Sequence, residues 1–140
     1  MNPRRLFIGS LCSALVMSGC GGDEESPTLT DSIEIVSVSP TTARAGANTE
    51  FTVNFRYSLV TVRAAVVDLG FFVDDSNQLL SGQRTAVAAG SGSGSLRATA
   101  DPRSYTTSSA FAIGLLLSQD PHPESWTPLA RAKQLIVVGL

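Results

Sequence analysis

Apolar and polar residues alternate along much of the chain, and this period of two is the feature that most constrains the fold. The clearest stretch is 49–57, whose apolar positions are Phe51, Val53, Phe55 and Tyr57. Side chains of a β-strand point alternately to its two faces, so the pattern predicts a strand with one buried and one wet face. Beyond the N-terminal region, no segment shows sustained helical spacing. The sequence therefore predicts an all-β fold.

The same alternation predicts further strands. Its apolar positions recur at Val60, Val62, Ala64 and Val66, and again at Phe111, Ile113, Leu115 and Leu117. The stretch 129–138 alternates less cleanly, because residues 136–138 are all apolar. That pattern predicts either a strand covered on both faces or a strand that crosses between two sheets.

The first predicted strand, 33–38, changes phase between Ile35 and Val36. A β-bulge would absorb the change, and so would a strand that moves from one sheet to the other. Pro40 ends the strand because proline has no amide hydrogen to donate to a ladder.

Turn-forming residues separate the predicted strands. They include Asp74-Asp75-Ser76-Asn77, the run Gly90–Ser95 and Asp120–Pro123. We expect Gly90–Ser95 to be a flexible hairpin tip between two strands, and the alanine-rich stretch 85–89 to be an edge strand or a surface closely covered by a partner. About seven short strands punctuated in this way are typical of an antiparallel β-sandwich.

The first twenty residues have a different character. Arg4 and Arg5 precede a mostly apolar run, 6–17, which is followed by small residues, and this order describes a secretory signal. Met17-Ser18-Gly19-Cys20 resembles the lipobox of bacterial lipoproteins. That resemblance implies that residues 1–19 form a signal peptide and that Cys20 carries the lipid. Gly21 after the cysteine implies sorting to the outer membrane.

Residues 20–32 then form a flexible acidic tether, because glycine, serine, proline and acidic residues bury too little apolar surface to become ordered. The phrase Val36-Ser-Val-Ser-Pro40, the turn at Gly46 and the strand 51–57 resemble bacterial immunoglobulin-like domains of surface lipoproteins. The resemblance implies an Ig-like β-sandwich over residues 33–140. It implies no function, since one fold serves many functions.

Composition excludes several classes of function. With a net charge of −2, the chain has no basic face for nucleic acid. One His and two Cys do not suffice for zinc or iron–sulfur sites built from these residues, so we expect no metal and no cofactor. The Asp74–Asn77 loop could supply oxygen ligands for calcium, but an Asp/Asn-rich turn explains these residues without a metal.

Two residues near the C-terminus are candidates for ligand contact. His122 is the sole histidine, and no nucleophile motif accompanies it, so we expect an exposed loop histidine and no catalytic residue. Trp126 could stack on a sugar, or it could be buried against the end of the sandwich.

We therefore expect a monomeric, non-enzymatic protein of the bacterial cell envelope, held to the membrane by lipid on Cys20. Its role would be interaction or envelope structure, with an envelope protein or a glycan as partner. The alternative is a carbohydrate- or small-ligand-binding module that uses Trp126 and His122. A periplasmic hydrolase is a third and weaker hypothesis.

Overall fold

The computed structural model describes residues 28–72, 83–104, 110–121 and 127–139, and most of them lie in β-strands. The strands are β1 (Ser32–Ser39), β2 (Thr42–Arg44), β3 (Thr49–Phe72), β4 (Arg84–Ala100), β5 (Ala110–Gln119) and β6 (Ala130–Gly139). One short 3-10 helix, Pro102–Ser104, follows β4. The predicted all-β fold is confirmed. The Ig-like assignment is finer than this and stays a prediction.

The long strand β3 pairs directly with β1, β4 and β5, and the other two strands join the sheet through β5. β4 runs antiparallel along one edge of β3 for most of its length. β1 and β5 share the opposite edge, with β1 paired to residues 52–58 and β5 paired to residues 65–72. β6 pairs antiparallel with β5, and the short β2 pairs parallel with β6.

All six strands form one sheet, which curls around the core because β3 bends sharply. The pairing of β3 with β4 is interrupted between Leu59 and Ala64. The residues of β3 before the bend pair with β1, and those after it pair with β5, which leads on to β6 and β2. One apolar cluster draws side chains from all six strands, and its largest fully buried members are Phe51, Phe55, Phe71, Leu59, Leu69, Ile113, Leu115, Leu117 and Ile136.

The phase change in β1 is a β-bulge, one of the two explanations that the sequence left open. The register with β3 shifts between Ile35 and Ser37, and Val36 is 48% exposed. β1 pairs with β3 on both sides of the bulge, so it does not change sheets. The strand ends at Ser39, directly before Pro40, as predicted.

The domain begins earlier than the predicted boundary at residue 33. Ser32 already belongs to β1, and Asp31 is only 6% exposed. Both residues fall within the predicted tether 20–32, a prediction that treats aspartate as a solvated residue. Asp31 is buried because its carboxylate accepts hydrogen bonds inside the domain.

The predicted apolar face of residues 60–66 was wrong at Val60 and Ala64, whereas Val66 is buried and Val62 packs against the core. Val60 is 42% exposed and Ala64 is exposed, whereas Ala65 and Val67 belong to the core. The β3 residues that belong to the main core cluster are odd-numbered on both sides of the bend, so the core-facing side of β3 keeps its phase across it. Apolar residues within the bend itself misled the prediction.

For 129–138 the sequence predicted coverage of both faces as one alternative, but the segments that are buried on both faces belong to β3 and β5. β6 alternates between exposed and less exposed positions, and Val137 is 58% exposed. Every residue from 65 to 72 of β3 and from 111 to 118 of β5 is buried. These two paired segments are central in the sheet, because β4 pairs with β3 on one side and β6 pairs with β5 on the other.

Candidate interaction sites

The residues that the sequence proposed for binding lie outside the described part of the chain. Cys20, the loop Asp74–Asn77, His122 and Trp126 all fall in this category. The structure therefore does not test the lipidation site, the calcium alternative or the stacking alternative. What it does define is the set of polar and apolar surfaces that the strands carry.

Asp68 and Asp120, two further carboxylates that could have joined a calcium site, do not lie together in the structure. The amide of Asp120 donates to the carbonyl of Ala64 at 3.2 Å. Asp68 lies four residues further along β3, about 13 Å away in an extended strand. Within the described ranges, no three His, Cys, Asp or Glu side chains are close enough to hold a metal ion.

Asp68 instead forms an ion pair with Arg84. The two residues are cross-strand partners, and Arg84 Nε donates to Asp68 Oδ1 at 2.9 Å. The Asp68 side chain is 11% exposed and the Arg84 side chain 61% exposed. The pair links the beginning of β4 to the C-terminal part of β3, and the exposed guanidinium limits what it adds to stability.

The face of β3 and β5 that points away from the main core carries a second apolar cluster. Phe72, Ala112 and Leu116 are its buried members. Lys133 of β6 places its ammonium 4.3 Å from the centroid of the Phe72 ring, a cation–π contact. Next to Ala112 on the paired strand lies Leu135, which is 70% exposed. An apolar row therefore runs from a buried phenylalanine to an exposed leucine.

A shallow cleft lies beside the parallel pair of β2 and β6. Its volume is about 480 Å³, and its lining includes Thr42, Arg44, Thr49 and Val137. The lining combines one cation, two hydroxyl groups and two apolar side chains, those of Ala43 and Val137. Such a surface can hold a small polar ligand that carries a negative charge or several hydroxyls.

Asp31 closes the bend of β3 from the side of β1. Its Oδ1 accepts hydrogen bonds from the amides of Val60 at 2.7 Å and Thr61 at 3.0 Å. The Thr61 hydroxyl donates to Oδ2. Amides at an interruption of a ladder have lost their strand partner, and a buried amide needs another acceptor. Asp31 supplies that acceptor for two consecutive residues of the bend.

The hydrogen bonds also set the ionisation of this carboxyl group. Burial by itself raises the pKa of Asp31, but the bonds from the Thr61 hydroxyl and from the two amides more than offset it. The pKa therefore lies below its ordinary value of 3.8. Asp31 is a charged group that holds the bend together, and sequence reasoning missed it because nothing local distinguishes it from the acidic residues before it.

The run Gly90–Ser95 is not a hairpin tip, as the sequence predicted, but the centre of the 17-residue strand β4. Gly92 and Gly94 pair with Tyr57 and Phe55, whose rings lie over them. A Cβ on Gly92 would lie 2.7 Å from the Tyr57 ring, and one on Gly94 would lie 2.6 Å from Phe55 Cζ. The glycines are required because the aromatic rings occupy the space of their side chains.

Serines at alternate positions of the same run face solvent. The alternation of glycine and serine thus has the period of a strand, with glycine on the inner face and serine on the outer face. That period was the signal in the sequence, and it was overlooked because glycine is depleted in strands.

Across the described ranges, none of the helical segments has the length and apolar character that a bilayer span requires. A comparison of the chain with protein-family models, with curated proteins and with solved structures finds no match.

Proposed function

We propose that this chain is a lipid-anchored protein of the bacterial cell envelope with a non-enzymatic role in interaction or envelope structure. The observation that carries the proposal is the order of segments along the chain. A signal-like region ends in Met17-Ser18-Gly19-Cys20, and Asp31, the first buried residue of the described ranges, follows shortly after it. Lipid on Cys20 would hold the β-domain to the outer membrane.

The spacing between these two residues fits an anchored domain. Ten residues separate Cys20 from Asp31, and ten extended residues reach at most about 35 Å. Asp23, Glu24 and Glu25 lie within this interval and are repelled by anionic lipid headgroups. A domain tethered in this way stays near the membrane with its surfaces accessible to partners.

The pairing of the strands supports an Ig-like sandwich as the form of that domain. β1 pairs with β3 before the bend, and β5, which is itself paired with β6, pairs with β3 after it. The parallel pairing of the short β2 with the last strand fits the same arrangement.

The deciding experiment is mass spectrometry of the mature protein from the membrane fraction. We expect an N-terminus at Cys20 that carries a diacylglyceryl group, because two or more acyl chains give stable attachment. Cys20→Ser should leave an unprocessed precursor. The matched control is Cys12→Ser, which removes the only other cysteine and should be processed normally. A mature N-terminus at another residue, or an unmodified Cys20, would contradict the proposal.

A second candidate function is the binding of a glycan or small ligand, and the cleft beside β2 and β6 is the observation that favours it. Arg44 would pair with a carboxylate of the ligand, and the hydroxyls of Thr42 and Thr49 would bind its polar groups. A glycan array probed with the purified protein and with Arg44→Ala tests this. Signals that are equal for both proteins would exclude the cleft.

A further inference from the structure

The outer edge of β4 carries backbone groups without a strand partner. β4 runs from Arg84 to Ala100 and pairs with β3 along one edge only. Among the described residues, no strand pairs with its other edge. An edge of this kind presents a row of amide and carbonyl groups that can pair with another strand.

One hydrogen bond shows which residues of β4 point outward. The amide of Arg97 donates to the side chain of Gln83 at 3.3 Å, and so it points away from β3. The ladder between β3 and β4 is regular from Gly90 to Ala100. Amides and carbonyls alternate in direction along an antiparallel strand. Ser91, Ser93 and Ser95 therefore direct both their amide and their carbonyl outward.

This part of the edge lacks charged side chains and prolines, two of the features that commonly protect sheet edges. A third feature, a bulge, occurs only near its beginning, where the ladder with β3 is irregular between Ala88 and Gly90. From Thr85 to Leu96 the strand contains no charged residue and no proline. Gln83 covers the edge at Arg97, but no hydrogen bond from its side chain reaches the serines.

We propose that the outer edge of β4 pairs with β4 of a second copy of this chain, antiparallel, about a two-fold axis at Ser93. In this register Ser91 of each copy lies opposite Ser95 of the other, so each outward amide meets an outward carbonyl. Arg97 lies opposite Ala89, and no like charges meet. The edge is self-complementary, as a two-fold interface requires.

This inference goes beyond the proposed function and does not depend on the lipid anchor. The sequence predicts a monomer, and the open edge of β4 is the observation that favours a dimer. Pairing of about seven residues is short, so the dimer is weak in dilute solution. Any attachment that concentrates the protein on a surface would strengthen it.

Site-specific cross-linking tests the register directly. The full-length chain carrying Cys12→Ser and Cys20→Ser has no thiol, so an added cysteine is the only reactive one. We expect Ser93→Cys in this background to give a covalent dimer with a short thiol-reactive cross-linker, because the two cysteines would lie opposite each other. Thr99→Cys is the matched control on the same exposed face. In the proposed register the two residues 99 lie about 40 Å apart.

A charge at the two-fold axis provides the second test. Ser93→Lys places two ammonium groups opposite each other and so disfavours the dimer. We expect the protein concentration at which half of the chains are dimeric, measured by light scattering, to rise at least tenfold. Ser32→Lys adds the same charge to the exposed surface of β1 and should leave the equilibrium unchanged. Equal cross-linking at positions 93 and 99 would overturn the proposal, and so would a wild-type protein that stays monomeric at all concentrations. Thermal melts of all variants identify any that fail to fold.

Discussion

Phe51 and Phe71 lie on the same β-strand, twenty residues apart, yet their ring centroids are only 6.0 Å apart in an edge-to-face contact. A straight strand would separate these residues by about 66 Å. β3 therefore folds back on itself and brings its two ends together in the core. Phe111 of β5 completes a cluster of three rings, with centroids 5.7 Å from Phe51 and 5.8 Å from Phe71.

Replacing Phe51 should be among the most destabilising changes in the protein. Phe51 is fully buried, and Phe51→Ala removes its contacts with both other rings, so we expect a loss of about 3–5 kcal/mol in the free energy of unfolding. Urea denaturation measures it. Val36→Ala, at the exposed bulge of β1, is the control and should change stability by less than about 0.5 kcal/mol. A loss below about 1 kcal/mol at Phe51 would mean that the two halves of β3 do not pack through these rings.

The sequence predicted the strand at 49–57 and its buried face, because alternation is a local property. It did not predict that the strand continues to Phe72, because the bend depends on Asp31, which lies 29 residues before Val60. Long-range hydrogen bonds of this kind leave no periodic signal. Similarly, the outer face of residues 65–72 is buried as well as the inner one, and a periodic pattern with one apolar face does not predict that.

Gly94 should tolerate no side chain. In Gly94→Ala the new methyl group would lie 2.6 Å from Phe55 Cζ, so the ring has to move, and we expect a loss of about 1–3 kcal/mol. Ser93→Ala is the control, since its side chain is exposed on the opposite face of the strand. If thermal melts place the two variants at the same midpoint, the glycine–serine run is a loose connection after all.

For the candidate sites, the sequence yielded a specific prediction only where a motif is local. The lipobox-like segment and its Cys20 could be read from neighbouring residues, and they stay a prediction. The open edge of β4 could not be predicted, because it depends on which strands pair with β4 and which do not. Gly92 and Gly94 acquire their meaning only from the rings of Tyr57 and Phe55 on the neighbouring strand.

Lys133 should stabilise the second apolar cluster, at Phe72, through the charge of its ammonium group as well as through its aliphatic side chain. Lys133→Met keeps the length of the side chain but removes the ammonium that lies 4.3 Å from the Phe72 ring centroid. We expect a loss of about 0.5–1 kcal/mol. Lys133→Arg keeps a cation and should stay within about 0.5 kcal/mol of the wild type. Equal destabilisation by methionine and arginine in urea denaturation would show that the charge does not matter.

Asp31 should make the free energy of unfolding depend on pH in the acidic range. At neutral pH, Asp31→Ala leaves the amides of Val60 and Thr61 without their acceptor, and we expect a cost of about 1–3 kcal/mol. Because the folded-state pKa is below 3.8, the ionised carboxylate stabilises the fold above that value, and its contribution is lost as the pH falls through the lower folded-state pKa. The difference between wild type and Asp31→Ala should therefore be constant from pH 7 to about 5 and should narrow below about pH 4. Thr61→Val removes only the hydroxyl donor, so it should lose less stability than Asp31→Ala. Urea denaturation at each pH measures the free energy of unfolding of both proteins. If the difference between wild type and Asp31→Ala stays the same down to pH 2.5, the charge of Asp31 does not hold the bend.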